Sequence, residues 1–234
     1  ETLDVSLLHN PEYSPPDAKQ RGRGDLESAR DEFYRRLQEA FRFFEGQVAA
    51  GTIRWYGVSS NTAVSPAADL ETTSLTRMLA AAREAGGAAH HFRILQLPMN
   101  LCEAGALLTR NTGLDNRQTA LEAASDVGIA VLVNRPLNAI VGNGMIRLTA
   151  GQSRRVHDVI SAAIDPFLPE ERRGESLSRK ALWVPASTKG VSCVLNGMRT
   201  PSYVDDSLGI LPWAPITPVV PIYQAVQGLT LRGV

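Results

Sequence analysis

Short apolar runs alternate along this chain with longer stretches of helical periodicity. Residues 3–9, LDVSLLH, form a mostly apolar run that ends in His9, Asn10 and Pro11. It predicts a buried strand whose C-terminal end points a His out of the core. Residues 10–28 are rich in Pro, Gly and charge and predict a long loop. Ser28 with Asp31 gives a helix start of the capping-box kind. Phe33, Leu37, Phe41, Phe44 and Val48 then recur on one face at helical spacing, and the pattern stops at Ala50 and Gly51.

The stretch IRWYGVSSN follows, with a strand expected over 53–58 and Ser59, Ser60 and Asn61 on the loop leaving it. After a polar loop at 61–72, Leu75, Met78, Leu79 and Ala82 mark a second amphipathic helix, stopped by Gly86 and Gly87. FRILQL at 92–97 predicts the next strand. Asn116 stands as a cap for a helix through Val127, ended by Gly128, and IAVLV at 129–133 predicts another buried strand. A long connection runs from Leu137 to Gly190, with helical patterns near 153–164 and 175–184. VSCVL at 191–195 predicts the last strand, Thr200-Pro201 opens a helix carrying Val204, Leu208 and Leu211, and the Pro-rich tail from Pro212 is expected over the surface.

Continuously apolar strands that alternate with helices indicate a parallel sheet covered by helices, an α/β fold of about five βα units. A doubly wound sheet and part of a (β/α)₈ barrel both accommodate that pattern. No G-x-G-x-x-G follows a strand, which argues against a Rossmann dinucleotide site.

Composition narrows the partners. The 234 residues suffice for a sizeable core, and 24 basic against 24 acidic residues leave no excess for nucleic acid. No apolar run approaches the length of a membrane span. Cys102 and Cys193 are far apart and lack metal-ligand spacing. They read as free thiols, and no signal peptide stands ahead of the first strand, so a cytoplasmic protein without a metal is expected.

Hydroxyl and amide side chains at a strand's C-terminal end suit a polar, uncharged group such as a carboxamide, although a turn with satisfied Ser and Asn side chains has the same composition. Read together, the strand ends resemble the aldo-keto reductase superfamily. LDVSLLHNP is similar to its fourth strand with the catalytic His, and GTIRWYGVSSN to its fifth. FRILQLPMNL is similar to the sixth with its Gln, GIAVLVNRPL to the seventh with its Pro-Leu pair, and VSCVLNGMRTPSYVDDSL to the eighth and the helix after it.

The resemblance implies a partial (β/α)₈ barrel over 1–211, with 212–234 as a C-terminal tail. It places three further βα units, bearing the family's catalytic Asp, Tyr and Lys, ahead of Glu1, so the chain as given is expected to be inactive. It implies NADP(H)-dependent reduction of an aldehyde or ketone to an alcohol, with NAD(H) left open; a non-catalytic, cofactor-binding regulatory member is the alternative. His9 would polarise the substrate carbonyl; the competing reading is a structural histidine. Ser59 with Ser60 or Asn61, and Gln96, would bind the nicotinamide carboxamide. Asn134 stands where many members carry a stacking aromatic. Arg135, beside Pro136 and Leu137, would reach the pyrophosphate, or is an ordinary surface arginine. Gly197 and Arg199 precede a helix N-terminus suited to a 2′-phosphate. Asp206 and Ser207 match the pair near the adenine, with Ser in place of the usual Asn; Asp205 and Asp206 also read as first-turn charges that favour the helix dipole. His90, His91 and His157 are expected on the surface.

Overall fold

A computed structural model describes residues 1–13, 26–69, 71–142, 144–149 and 154–229. The strands are β1 (Leu3–His9), β2 (Ile53–Ser59), β3 (Phe92–Pro98), β4 (Arg110–Thr112), β5 (Gln118–Thr119), β6 (Ala130–Asn134), β7 (Asn138–Val141), β8 (Gly144–Arg147) and β9 (Val191–Val194). Five of them make one parallel sheet in the order β1-β2-β3-β6-β9. The helices longer than one turn are α1 (Leu26–Ala49), α2 (Leu75–Gly86), α3 (Ala120–Asp126), α4 (Arg154–Ile164), α5 (Leu177–Ala186), α6 (Pro201–Leu208) and α7 (Val220–Gln227). The expected α/β architecture with parallel strands is what the chain adopts. By contacts it divides into two units, residues 1–97 with 105–132, and residues 98–104 with 133–234.

In the first unit, β1, β2 and β3 run parallel with Leu7 opposite Gly57, and Gly57 opposite Ile94. Gly57 is required by that approach: a Cβ there would lie 2.2 Å from the Ile94 carbonyl oxygen and 2.8 Å from the Leu7 side chain. Side chains alternate across the sheet, so Tyr56 and Val58 face the helices while Gly57 and Ser59 face the other way. On the helical side Phe41 stacks on Phe92 at 5.2 Å and Phe44 on Tyr56 at 5.3 Å. Leu37, Met78 and Leu95 complete this core. Arg77 of α2 covers the Tyr34 ring and pairs with Asp31, tying α2 to α1.

The second unit packs α4 on α7 through Val156, Ile160 and Ile164, with Ile222, Tyr223 and Val226 buried on the partner helix. Lys180 is 1% exposed yet paired, its Nζ donating to Asp165 Oδ1 at 2.6 Å and to the Arg173 carbonyl. Trp183 meets Trp213 edge-on and donates to the Ala214 carbonyl.

Several expectations are corrected. β1 is not buried: Leu3 is 60% and Val5 40% exposed, because this strand pairs only with β2 among the described strands. Ser28 lies inside α1, which begins at Leu26; most of the loop expected over 10–28 lies outside the described residues. Asn116 does not cap a helix. Residues 114–116 form a 3-10 turn with Asn116 at φ 54°, and Thr119 caps α3 through a capping box with Glu122. The connection from Leu137 carries an antiparallel hairpin, β7–β8. The tail folds as α7, and Trp213, Ile216 and Val219 are buried with it rather than lying over the surface.

Of the three histidines expected on the surface, one is corrected. His90 is buried, and burial followed by Arg93 lowers its pKa. His91 is half-buried, its Nδ1 2.7 Å from Glu45 Oε2. Glu45 Oε1 accepts from the His91 amide and the Tyr56 hydroxyl at 2.7 and 2.9 Å, pinning the end of α1 to the middle of β2 and the start of β3. Burial would raise the Glu45 pKa, but these bonds outweigh it and hold it below 4.5. A carboxylate so depressed contributes stability above its unfolded value and loses it as pH falls through the folded one. Glu45→Gln should therefore be less stable than wild type at pH 7 by about 1–3 kcal/mol. Urea unfolding across pH should show that gap narrow below 4.5; a gap constant with pH would mean the charge plays no part.

Candidate functional site

The C-terminal ends of β1, β2 and β3 bring polar side chains to one level of the first unit. His9 pairs in register with Ser59, and Ser59 with Gln96. The backbone continues that alignment beyond the strands, Asn10 N donating to the Ser59 carbonyl and Ser60 N to the Gln96 carbonyl. Gln96 Nε2 donates to Ser59 Oγ at 3.0 Å, which leaves the Ser59 hydroxyl proton free for another acceptor. Ser59 is 1% exposed and His9 is exposed.

Ser60 and Asn61 have different surroundings. Ser60 is fully buried and turns into a hydroxyl cluster with Thr62 and Thr73, which fastens the loop leaving β2. Asn61 stays half-exposed, and its amide donates to Asn10 Oδ1 and Glu12 Oε1. Glu12 was missed by the sequence analysis. It is 3% exposed, and its Oε1 also accepts from the Asn61 backbone N–H at 2.7 Å.

In the second unit Arg135 follows β6 at φ 53°, in the left-handed region. Its Nη2 lies 2.8 Å from Glu103 Oε1, and Glu103 Oε2 accepts from Asn100 Nδ2 and the Ile140 amide. Arg135 is thus an internally paired arginine that ties the strand end to β7. Pro136 and Leu137 are buried next to it, and Leu137 accepts from Leu148 where the hairpin returns. Cys102, beside Glu103, has its thiol pushed up to about 12, first by burial and then by that carboxylate. Cys193 is exposed.

After β9, Gly197 and Arg199 are exposed, and Arg199 makes no hydrogen bond or ion pair among the described residues. A Cβ at Gly197 would meet no atom within 4 Å, so nothing in the protein itself requires glycine there. Asp206 is committed to α5, accepting from Ser178 and Ser176 and pairing with Arg179. Ser207 accepts from Asn196, another residue the sequence did not single out. Asn196, Ser207, Ser192 and Cys193 edge a largely apolar cavity of about 330 Å³ beside β9, walled by Leu182, Val194, Met198 and Leu211.

No protein-family model and no curated protein matches the sequence. Solved structures do match. A thermostable aldo-keto reductase solved with the inhibitor epalrestat superposes at TM-score 0.56 and 14% identity, over 96% of this chain and 60% of its own. An aldo/keto reductase from Brucella melitensis gives 0.51 at 13%, over 97% and 60%. The glycerol dehydrogenase of Gluconobacter oxydans gives 0.52 at 18%, over 97% and 58%. The fold is that of part of an aldo-keto reductase barrel. The chain spans about 60% of the length of the structures it matches.

That fold aligns the strand ends described above, and the Glu103 network fixes how the chain leaves one of them. Glu103→Ala should release Arg135 and the Ile140 amide together. Exchange of the Ile140 amide should quicken about tenfold or more in hydrogen-exchange measurements. Unchanged protection would show that the hairpin is held without this carboxylate.

Proposed function

We propose that the protein is an NADP(H)-dependent oxidoreductase of the aldo-keto reductase type, reducing an aldehyde or ketone to an alcohol in the cytoplasm. The observation that carries this reading is the register of His9, Ser59 and Gln96 at the C-terminal ends of three parallel strands. On parallel-barrel folds that end of the sheet is where chemistry is placed.

The residues fit the group. A primary carboxamide needs one donor and acceptors in a plane, and Ser59 Oγ–H with the carbonyl oxygens of Asn61 and Gln96 has that composition. NADPH would supply the hydride. His9 would donate a hydrogen bond to the substrate carbonyl oxygen as negative charge develops there. Arg199 is unpaired among the described residues and next to the N-terminus of α6, where Thr200 makes no side-chain capping bond, which supports it as the ligand of a 2′-phosphate. The apolar cavity edged by Asn196 and Ser207 suits the adenine, with Asp206 holding the helix that carries Ser207. Arg135 acts in this reading by shaping the turn before Pro136 and Leu137.

Titration with NADPH followed by tryptophan fluorescence, and NADPH oxidation with a panel of aldehydes and ketones, test the proposal. Cofactor binding is expected, with turnover in the protein that carries the family's Asp, Tyr and Lys and its loss on His9→Ala. Binding without turnover in that protein would favour a non-catalytic regulatory member. Absence of binding would overturn the proposal.

Arg199→Ala should weaken NADPH by about 1.5–3 kcal/mol, the range for a charge-assisted hydrogen bond, while NADH affinity barely changes. Equal losses for both cofactors, read by the same titration, would assign Arg199 to the pyrophosphate or to the fold.

A further inference from the structure

Among the described residues, Glu12 is the acidic side chain buried at the strand ends of the first unit, and its position is costly. Oε1 accepts twice from Asn61, from the backbone N–H at 2.7 Å and from Nδ2 at 3.2 Å, while the buried Oε2 has no hydrogen-bond partner among the described residues. A carboxylate withdrawn from water with one oxygen unpaired is destabilising. No cation pairs with it among the described residues.

What Glu12 achieves is the orientation of an amide. An asparagine side chain can present either its NH₂ or its carbonyl to a ligand by rotating half a turn. A carboxylate only accepts, so the NH₂ of Asn61 must face Glu12. Asn10, held at φ 49°, adds its Oδ1 to the same side of the amide at 3.2 Å. Asn61 Oδ1 is thereby turned away from both, and no hydrogen bond to it exists among the described residues. Asn61 is the half-exposed member of the Ser59–Asn61 stretch, so the group it offers a ligand is an acceptor.

We infer that Glu12 is a positioning residue that sets the hydrogen-bonding polarity of Asn61, making this end of the site select a ligand group that donates, the NH₂ of the nicotinamide carboxamide. This rests on the nicotinamide-binding reading given above. The buried, half-satisfied carboxylate is the cost of holding the acceptor outward.

The probes are NADP⁺, its 3-acetylpyridine analogue, in which a methyl replaces the carboxamide NH₂, and 2′-phospho-ADP-ribose, which has no nicotinamide. Dissociation constants are measured by calorimetry on the whole protein, with thermal unfolding to report folding. Wild type should prefer NADP⁺ over the analogue by about tenfold, the worth of one well-made hydrogen bond. Glu12→Gln keeps an acceptor at Oε1 and should retain that preference. Glu12→Leu and Asn61→Ala should each reduce it to about twofold or less, with no further loss in the double variant. Affinity for 2′-phospho-ADP-ribose should be unchanged throughout. If Glu12→Leu does not fold, the Glu12→Gln and Asn61→Ala pair carries the test, and a preference that survives Asn61→Ala overturns the inference. Retention of the wild-type ratio by Glu12→Leu overturns it as well. So do parallel losses for all three ligands, which would make Glu12 a support of the fold alone. A wild type that binds the dinucleotides without preference refutes this inference and leaves the proposed function standing. A wild type that binds none of the three refutes both.

Discussion

The register of three parallel strands is the constraint on which the first unit depends. Leu7, Gly57 and Ile94 lie opposite one another, and two residues later so do His9, Ser59 and Gln96. Side chains alternate with period two, so a slip of one residue would send Ser59 into the helical core and Val58 into the polar cluster. Gly57 holds the register by allowing backbone contact that no side chain could tolerate, and the irregularity between Tyr56 and Gly57 brings Ile94 opposite it. The hydrogen bonds of Asn10, Ser60 and Asn61 beyond the strands extend the same alignment.

The second unit treats charge differently at its own strand ends. Arg135 and Asp206 are answered within the protein, by Glu103 and by Arg179 with two serines, whereas Arg199 has no partner among the described residues. Partly buried ion pairs with further hydrogen bonds fix geometry more than they add net stability. An unpaired exposed guanidinium retains its full capacity for an anion. The distinction is one of environment, and the residue types alone do not reveal it.

That marks what was legible in the sequence. Apolar runs located β2, β3 and β6 because a strand covered by helices reads as continuous hydrophobicity; the run at β9 located that strand as well, although its Ser192 and Cys193 are exposed. The stripe from Phe33 to Phe41 located α1, although the helix begins ahead of Ser28. The pattern over-read β1, since an apolar run does not disclose whether anything lies against its far side. It under-read the tail, where proline marked a start at α7 rather than a surface path. At the candidate site, His9, Ser59 and Gln96 were legible because His9 and Ser59 end their strands and Gln96 lies two residues before the end of its own. Glu12 was not, since it lies in a Pro- and Gly-rich stretch and meets Asn61 from 49 residues away. That Ser60 turns inward while Asn61 stays half-exposed depends on a cluster formed with Thr73, a contact that local spacing does not predict. Identities of 13–18% to structures of the same fold fit this picture, because burial and register constrain side-chain character more than identity.

The two cysteines are chemically unequal, and that has a practical consequence. Nucleophilic sulfur chemistry requires the thiolate. Cys102, buried and raised to about 12, presents almost none near neutrality, while Cys193 lies exposed on β9. A maleimide dye or spin label added to the unaltered sequence would therefore mark one strand of the sheet and spare the other thiol. These 234 residues carry one built-in attachment point for spectroscopy, obtained without mutagenesis.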